Sequence, residues 1–279
     1  MPEVPDLEAI RHYLNQRIIG EPITRAEIVI PIISRVTKED FAESLEGNEF
    51  TTVERYGKFL LFQLASDQIM IVNAMLTGRF QYLDAGEKKR GRTCAVIEFA
   101  NGRQLRYSDF RLMGKLYLVK SADLSTVPQF AEMGPDVLDP ALTEQVFRER
   151  IRKHPGQIKS ILVNHKFIAG IGNAYSDEIL FVAGLHPYRK RTSLSDDEIG
   201  RLYHAIHEVL DWAIPIVEEK MKDGLSYEER REHLRVHRLG GKPCPNCGSP
   251  ISEITAGERV TSFCRTCQGD REPAATTTS

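Results

Sequence analysis

Four of the five cysteines in this 279-residue chain lie in its last 36 residues. Cys244-Pro-Asn-Cys247 and Cys264-Arg-Thr-Cys267 make a C-x2-C-x16-C-x2-C array. Each short knuckle aims two sulfurs at one point, and two knuckles complete a tetrahedron. Four soft thiolates with no open position select a structural Zn2+. Two disulfides are the alternative, a poor fit to a chain whose acidic start, MPEVPDLEAI, has no apolar signal core. Cys94, in the alternating stretch TCAVIEF, reads as a small buried hydrophobe. Between the knuckles, Gly257-Glu-Arg-Val-Thr-Ser-Phe263 puts Arg259 near the tip of a two-stranded finger. An arginine there can enter a groove of DNA; a solvated finger surface is the competing reading.

A second constellation lies upstream. Gly170-Ile-Gly172-Asn173 sits between two helical patterns, GQIKSILVNH and NAYSDEILFVAG. Glycines at such a turn let the backbone approach a phosphate, and the following helix begins with its N–H groups available. Asn173 can cap that helix and donate to a phosphate oxygen, and Lys159 on the preceding helix can reach the same strand. A tight interhelical turn with a capping asparagine is the alternative. The charge pattern fits a nucleic-acid partner. The whole chain balances 37 Lys+Arg against 39 Asp+Glu, yet residues 151–190 carry a net +4, residues 191–230 a net −5 and residues 231–268 a net +3. That total excludes a histone-like polycation but not a local basic face.

The elements that must position these groups follow from periodicity. Pro5 to Gly20 reads as a helix, with Leu7, Ile10, Leu14 and Ile18 on one face and Gly20 as its cap. Eight short stretches follow up to about residue 122: ITRAEIVI, EFTTVERYG, FLLFQLA, IMIVNAM, RFQYLD, CAVIEFA, RQLRYSD and KLYLVK. Their turns predict a β-sandwich or barrel. A proline-bearing linker covers 126–141, and the pattern is helical from Thr143, with Pro215 expected to kink the last helix. No apolar run approaches the ~18 residues of a membrane span. The predicted class is α+β and multidomain. A β-sandwich with a leading helix covers 2–125, a helical DNA-binding domain 142–230, a zinc-ribbon finger 231–268 and a disordered tail 269–279.

An N-terminal Met-Pro-Glu-x-Pro, a β-rich first domain, a helical turn ending in GxGN and a four-cysteine finger occur here in one order. In these features the chain resembles the formamidopyrimidine-DNA glycosylase / endonuclease VIII family of base-excision repair enzymes, over residues 2 to about 268. The resemblance implies a helix–two-turn–helix domain and double-stranded DNA with a damaged base or abasic site as partner. It also implies a bifunctional glycosylase and AP lyase, acting as a cytoplasmic, nucleoid-associated bacterial monomer. It makes Pro2, freed by loss of Met1, a secondary amine that attacks C1′ of the deoxyribose. Glu3 then protonates the sugar-ring oxygen, and Lys58, in Tyr56-Gly-Lys58-Phe, binds phosphate beside the lesion. Leu76, Arg111 and Met113 align with the residues that fill the gap left by an everted nucleotide.

The chain also departs from the family pattern. DFRLMG stands for DPRRFG, and Asn164-His165 for the usual Asp-Gln. The segment MKDGLSYEERREHLRVH is charged and shorter than the loop that closes over 8-oxoguanine in purine-specific members. Oxidised pyrimidines, ring-opened purines and bulkier adducts therefore stay open as substrates. His204, His207 and His237 are expected to be solvated or satisfied structural histidines. A catalytically silent relative that only binds damaged DNA is the alternative function, and a zinc-ribbon scaffold with no DNA role the third.

Overall fold

The computed structural model describes residues 1–89, 91–225, 229, 231–257 and 259–269. They divide into two compact units, Met1–Glu132 with Ile214–Arg230, and Met133–Ala213 with the residues from Arg231 on.

The first unit opens with helix α1 (Val4–Asn15). Glu3 is its N-cap, Pro5 lies in its first turn, and the helix ends at Gln16. Gly20, expected as the cap, instead takes a left-handed turn (φ 71°) beyond the helix. All eight sequence-read strands form: β1 (Ile23–Ile28), β2 (Phe50–Tyr56), β3 (Phe59–Leu64), β4 (Gln68–Asn73), β5 (Gly78–Asp84), β6 (Thr93–Phe99), β7 (Arg103–Asp109) and β8 (Lys115–Lys120). They make two antiparallel four-stranded sheets, ordered β1-β6-β7-β5 and β2-β3-β4-β8. Period-2 alternation sends Leu60, Phe62 and Leu64 from one sheet and Ala95, Ile97 and Phe99 from the other into a common core. Phe62 meets Phe80 across the layers at 5.7 Å, and Phe50 meets Phe99 at 6.4 Å. The sequence reading missed α2 (Lys38–Leu45), a helix capped by Thr37 that buries Phe41 and Leu45 four residues apart.

The second unit holds α3 (Glu144–Arg152), α4 (Ile158–Leu162), α5 (Asn173–Ala183) and the finger, whose hairpin β9 (Ser252–Ala256) and β10 (Arg259–Phe263) precedes α7 (Arg265–Gln268). Helix α6 (Asp196–Met221) continues through Pro215. Its end belongs to the first unit, where Val217 and Met221 join the sandwich core. No described helix is long and apolar enough to cross a membrane.

Candidate active site and nucleic-acid interface

The N-terminus of α1 carries the first group of candidate residues. Pro2 and Glu3 are buried, Glu3 at 5% exposure. Glu3 and Asp6 make a reciprocal capping box: the Glu3 side chain accepts from the Asp6 backbone, and Asp6 accepts from the Glu3 N–H at 2.8 Å. The Met1 amine sits on Glu229, which also accepts from Arg79 at 2.8 Å.

Lys58 occupies the two-residue turn joining β2 to β3. Gly57 takes φ 56° there, as the first central position of a tight hairpin turn requires. The Lys58 ammonium donates to Gln129 at 2.7 Å, and partial burial lowers its pKa from the ordinary lysine value. Phe130 packs on Tyr56 at 5.2 Å and on Phe59 at 5.6 Å, so the stretch read as a linker braces the turn. Helix α1 is locked to the strand that carries this turn. Glu8 pairs with Arg55 at 2.5 Å, and Asn15 both donates to Val53 O at 2.7 Å and accepts from Val53 N at 3.0 Å. These contacts tie the helix capped by Glu3 to the strand that leads into the Lys58 turn.

Two turns of the same unit hold Leu76, Arg111 and Met113, the residues expected to fill the gap left by an everted nucleotide. Half-buried Leu76 lies in the turn from β4 to β5, and exposed Arg111 and Met113 lie in the turn from β7 to β8. Buried Asp109 ties the turns together. It accepts from the Thr77 hydroxyl, from Arg111 N at 3.1 Å and from Gly114 N at 2.6 Å, while Arg111 N also donates to Thr77 Oγ1 at 2.9 Å. Leu112 turns inward on a left-handed backbone (φ 56°) and packs on the sandwich core. Phe110, which the sequence reading passed over, is 72% exposed beside Arg111.

In the second unit the structure corrects two expectations. Lys159 is not at the surface. It is 7% exposed, and its ammonium donates to Asp177 Oδ1 at 2.6 Å, Thr261 Oγ1 at 3.0 Å and Val260 O at 3.1 Å. A cation this buried depends on such partners, and reaching a phosphate would break these contacts. Asn173 does not cap α5 either; Gly172 is the N-cap, and the Asn173 amide donates to Val260 O at 2.8 Å. Both side chains thus grip the residue next to Arg259. Arg259 itself is exposed, opposite Ala256 at the hairpin end, where Gly257 takes φ 60°. Gly170 adopts φ 116°, the backbone freedom expected of it.

The finger is anchored through α5. Glu178, fully buried, accepts from the backbone N–H groups of Arg235, Val236 and His237, each at 2.9 Å. Burial still raises its pKa, against the pull of those donors. Asp177 Oδ2 pairs with His237 Nδ1 at 2.7 Å and accepts from Ser262 N at 3.0 Å, which gives His237 the structural place expected of it. The Sγ atoms of Cys244, Cys247, Cys264 and Cys267 all lie within 4.8 Å of one another. Cys247–Cys264 and Cys244–Cys267 lie at 3.5 and 3.7 Å, near the ~3.8 Å edge of a tetrahedron with Zn–S bonds of about 2.3 Å. Donor set and geometry fit one zinc with no vacant position, so its role is structural. Cys94 is fully buried.

Two antiparallel sheets, a glycine turn leading into a buried helix and a four-thiolate finger follow one another along the chain. Family models match along the chain in that order: the formamidopyrimidine-DNA glycosylase N-terminal domain over residues 1–116, the formamidopyrimidine-DNA glycosylase H2TH domain over 133–223, and the zinc finger found in FPG and IleRS over 241–269. The formamidopyrimidine-DNA glycosylase of Desulforamulus reducens is 33% identical over 96% of this chain and 99% of its own. That of Symbiobacterium thermophilum is 36% identical over 96% and 89%. The Lactococcus lactis Fpg, solved with DNA containing N7-benzyl-Fapy-dG, superposes with a TM-score of 0.88 at 29% identity, covering 96% of this chain and all of that one. The same L. lactis protein solved with abasic-site DNA gives 0.87 at 27%, with the same coverage. The chain belongs to the formamidopyrimidine-DNA glycosylase / endonuclease VIII family and is a DNA glycosylase of base-excision repair.

Proposed function

We propose that the protein is a bifunctional glycosylase and AP lyase using Pro2 as nucleophile and Glu3 and Lys58 as its helpers. The observation that carries this reading is the tie between α1, the helix capped by Glu3, and the strand leading to Lys58, through Glu8–Arg55 and Asn15–Val53. Removal of Met1 turns the Pro2 nitrogen from an amide into a secondary amine. With a reference α-amino pKa of about 7.7–8.0, that amine has a neutral fraction near pH 7. Its lone pair attacks C1′, and the bond to the damaged base breaks, the base leaving with the electron pair and a proton. Glu3 gives a proton to the ring oxygen as the sugar opens, leaving a cationic iminium between Pro2 N and C1′. The iminium acidifies C2′. Loss of that proton expels the 3′ phosphate, a second elimination expels the 5′ phosphate, and water releases Pro2. Lys58 balances phosphate charge beside the lesion.

The substrate is duplex DNA with a damaged base or an abasic site, met in the bacterial cytoplasm by a monomer. Ring-opened purines are favoured among the lesions left open by the sequence. The supporting likeness is to relatives named for formamidopyrimidine and to an L. lactis structure described as a complex with Fapy-dG DNA. The lesion-closing segment falls partly on residues 226–228 and 230, outside the described residues. Leu76, Arg111 and Met113 fill the gap after eversion, with Arg111 on the widowed base, and Arg259 enters a groove. The test is borohydride trapping on abasic-site DNA, followed by a panel of lesion duplexes. A covalent adduct and a two-step cleavage are expected. Tight binding without adduct or cleavage would return the protein to the silent-relative reading.

A further inference from the structure

Phe110 has no place in the chemistry described so far. Among the described residues, four large apolar side chains are notably exposed: Ile32, Phe110, Met113 and Ile254. Phe110 is the most exposed, at 72%, and Met113 follows three residues later on the same turn. A single surface hydrophobe needs no explanation. Here, though, the turn is built to hold the aromatic outward. Asp109 before it is fully buried and fixed by three donors; Leu112 after it takes a left-handed backbone and packs into the core. The Arg92 guanidinium lies 5.6 Å from the Phe110 ring centroid, and Arg92 O accepts from Asp109 N at 3.0 Å. An aromatic face beside exposed Arg92, with exposed Arg111 next in the chain and the preceding carboxylate buried, is complementary to a polyanion that offers flat rings. Nucleobases stack on such platforms while the cations meet the phosphates.

We propose that Phe110 is a DNA-binding residue that stacks on a nucleobase of the duplex opened at the lesion, giving the turn an aromatic contact beside the aliphatic wedges Leu76 and Met113. This rests on the DNA-repair reading above. It predicts that lesion recognition depends on an aromatic ring at 110, whereas the charge-driven affinity for intact DNA does not.

The experiment compares wild type with Phe110→Ala, Phe110→Leu and Phe110→Tyr on a tetrahydrofuran-containing duplex and an undamaged duplex of equal length. Phe110→Ala and Phe110→Leu should each lose about tenfold of the preference for the lesion duplex, and Phe110→Tyr should keep it. A 5-iododeoxyuridine placed beside the tetrahydrofuran should photocrosslink to residue 110 in wild type. An unchanged lesion preference in both Phe110→Ala and Phe110→Leu overturns the proposal. So does a crosslink mapped only to Met113, or a change in oligomeric state as the sole effect of Phe110→Ala. Borohydride trapping by wild type runs in parallel. Absence of an adduct sinks the catalytic reading while the crosslink still judges the base contact.

Discussion

At the scale of single residues, the proposed chemistry hinges on whether the Pro2 nitrogen is an amine or an amide. A chain carrying one extra residue before Met1, uncleaved, keeps Pro2 N acylated. It should bind abasic DNA yet give no borohydride adduct, a result read on one denaturing gel. Lys58→Ala removes a cation rather than the nucleophile. Base excision should fall by at least about 100-fold, the scale of a lost electrostatic contact to developing charge, while opening of a preformed abasic site suffers less. The pH dependence has a defined sign. Burial disfavours the ammonium of Lys58, so its charged form is lost at lower pH than for a solvated lysine. The alkaline limb of the excision profile should therefore fall early. Lys58→Arg should move that limb upward, whatever its effect on the maximal rate, because a guanidinium stays charged.

At the scale of elements, α5 is the part of the second unit on which the finger hangs. Asp177 and Glu178 project from it into the protein, and between them they hold Lys159, His237, Ser262 and the 235–237 backbone. Lys159→Met removes one partner of a buried pair and leaves the Asp177 charge undercompensated. A loss of about 3 kcal/mol in unfolding free energy is expected, measurable by urea denaturation. The same substitution at a surface phosphate contact would weaken DNA binding with stability unchanged, so the measurement separates the two roles of Lys159. Because Lys159 and Asn173 both hold Val260 O, the variant should also loosen Arg259 and weaken DNA binding secondarily.

At the scale of the whole molecule, a net charge of −2 conceals segments of opposite sign. DNA affinity should fall steeply as salt is raised, since neutralising phosphates releases condensed counterions. A flat salt response in a filter-binding titration would contradict the DNA partner. The chain should carry one zinc, and a strong chelator should unfold the finger, because binding energy at a four-thiolate site is folding energy. Chelation should abolish tight DNA binding while the sandwich, whose core draws on α1, both sheets and the end of α6, keeps its far-UV signal.

The sequence by itself determined whatever depends on local spacing and period. Two CxxC knuckles sixteen residues apart announce a metal site, and alternation with turn residues announces eight strands. The glycine turn before Asn173 and the Pro2-Glu3 start are likewise local. Tertiary structure decided what depends on distant partners. Lys159 looks like a phosphate ligand in its own helix. Its fate is set by Asp177, eighteen residues on, and by Val260 and Thr261, about a hundred residues away. Helix α2 is only eight residues long, too short to outweigh the strand pattern around it until Phe41 and Leu45 find the core. Phe110 was unreadable for the converse reason. Hydrophobicity predicts burial, and only the anchoring of Asp109 and Leu112 on either side leaves that ring in solvent.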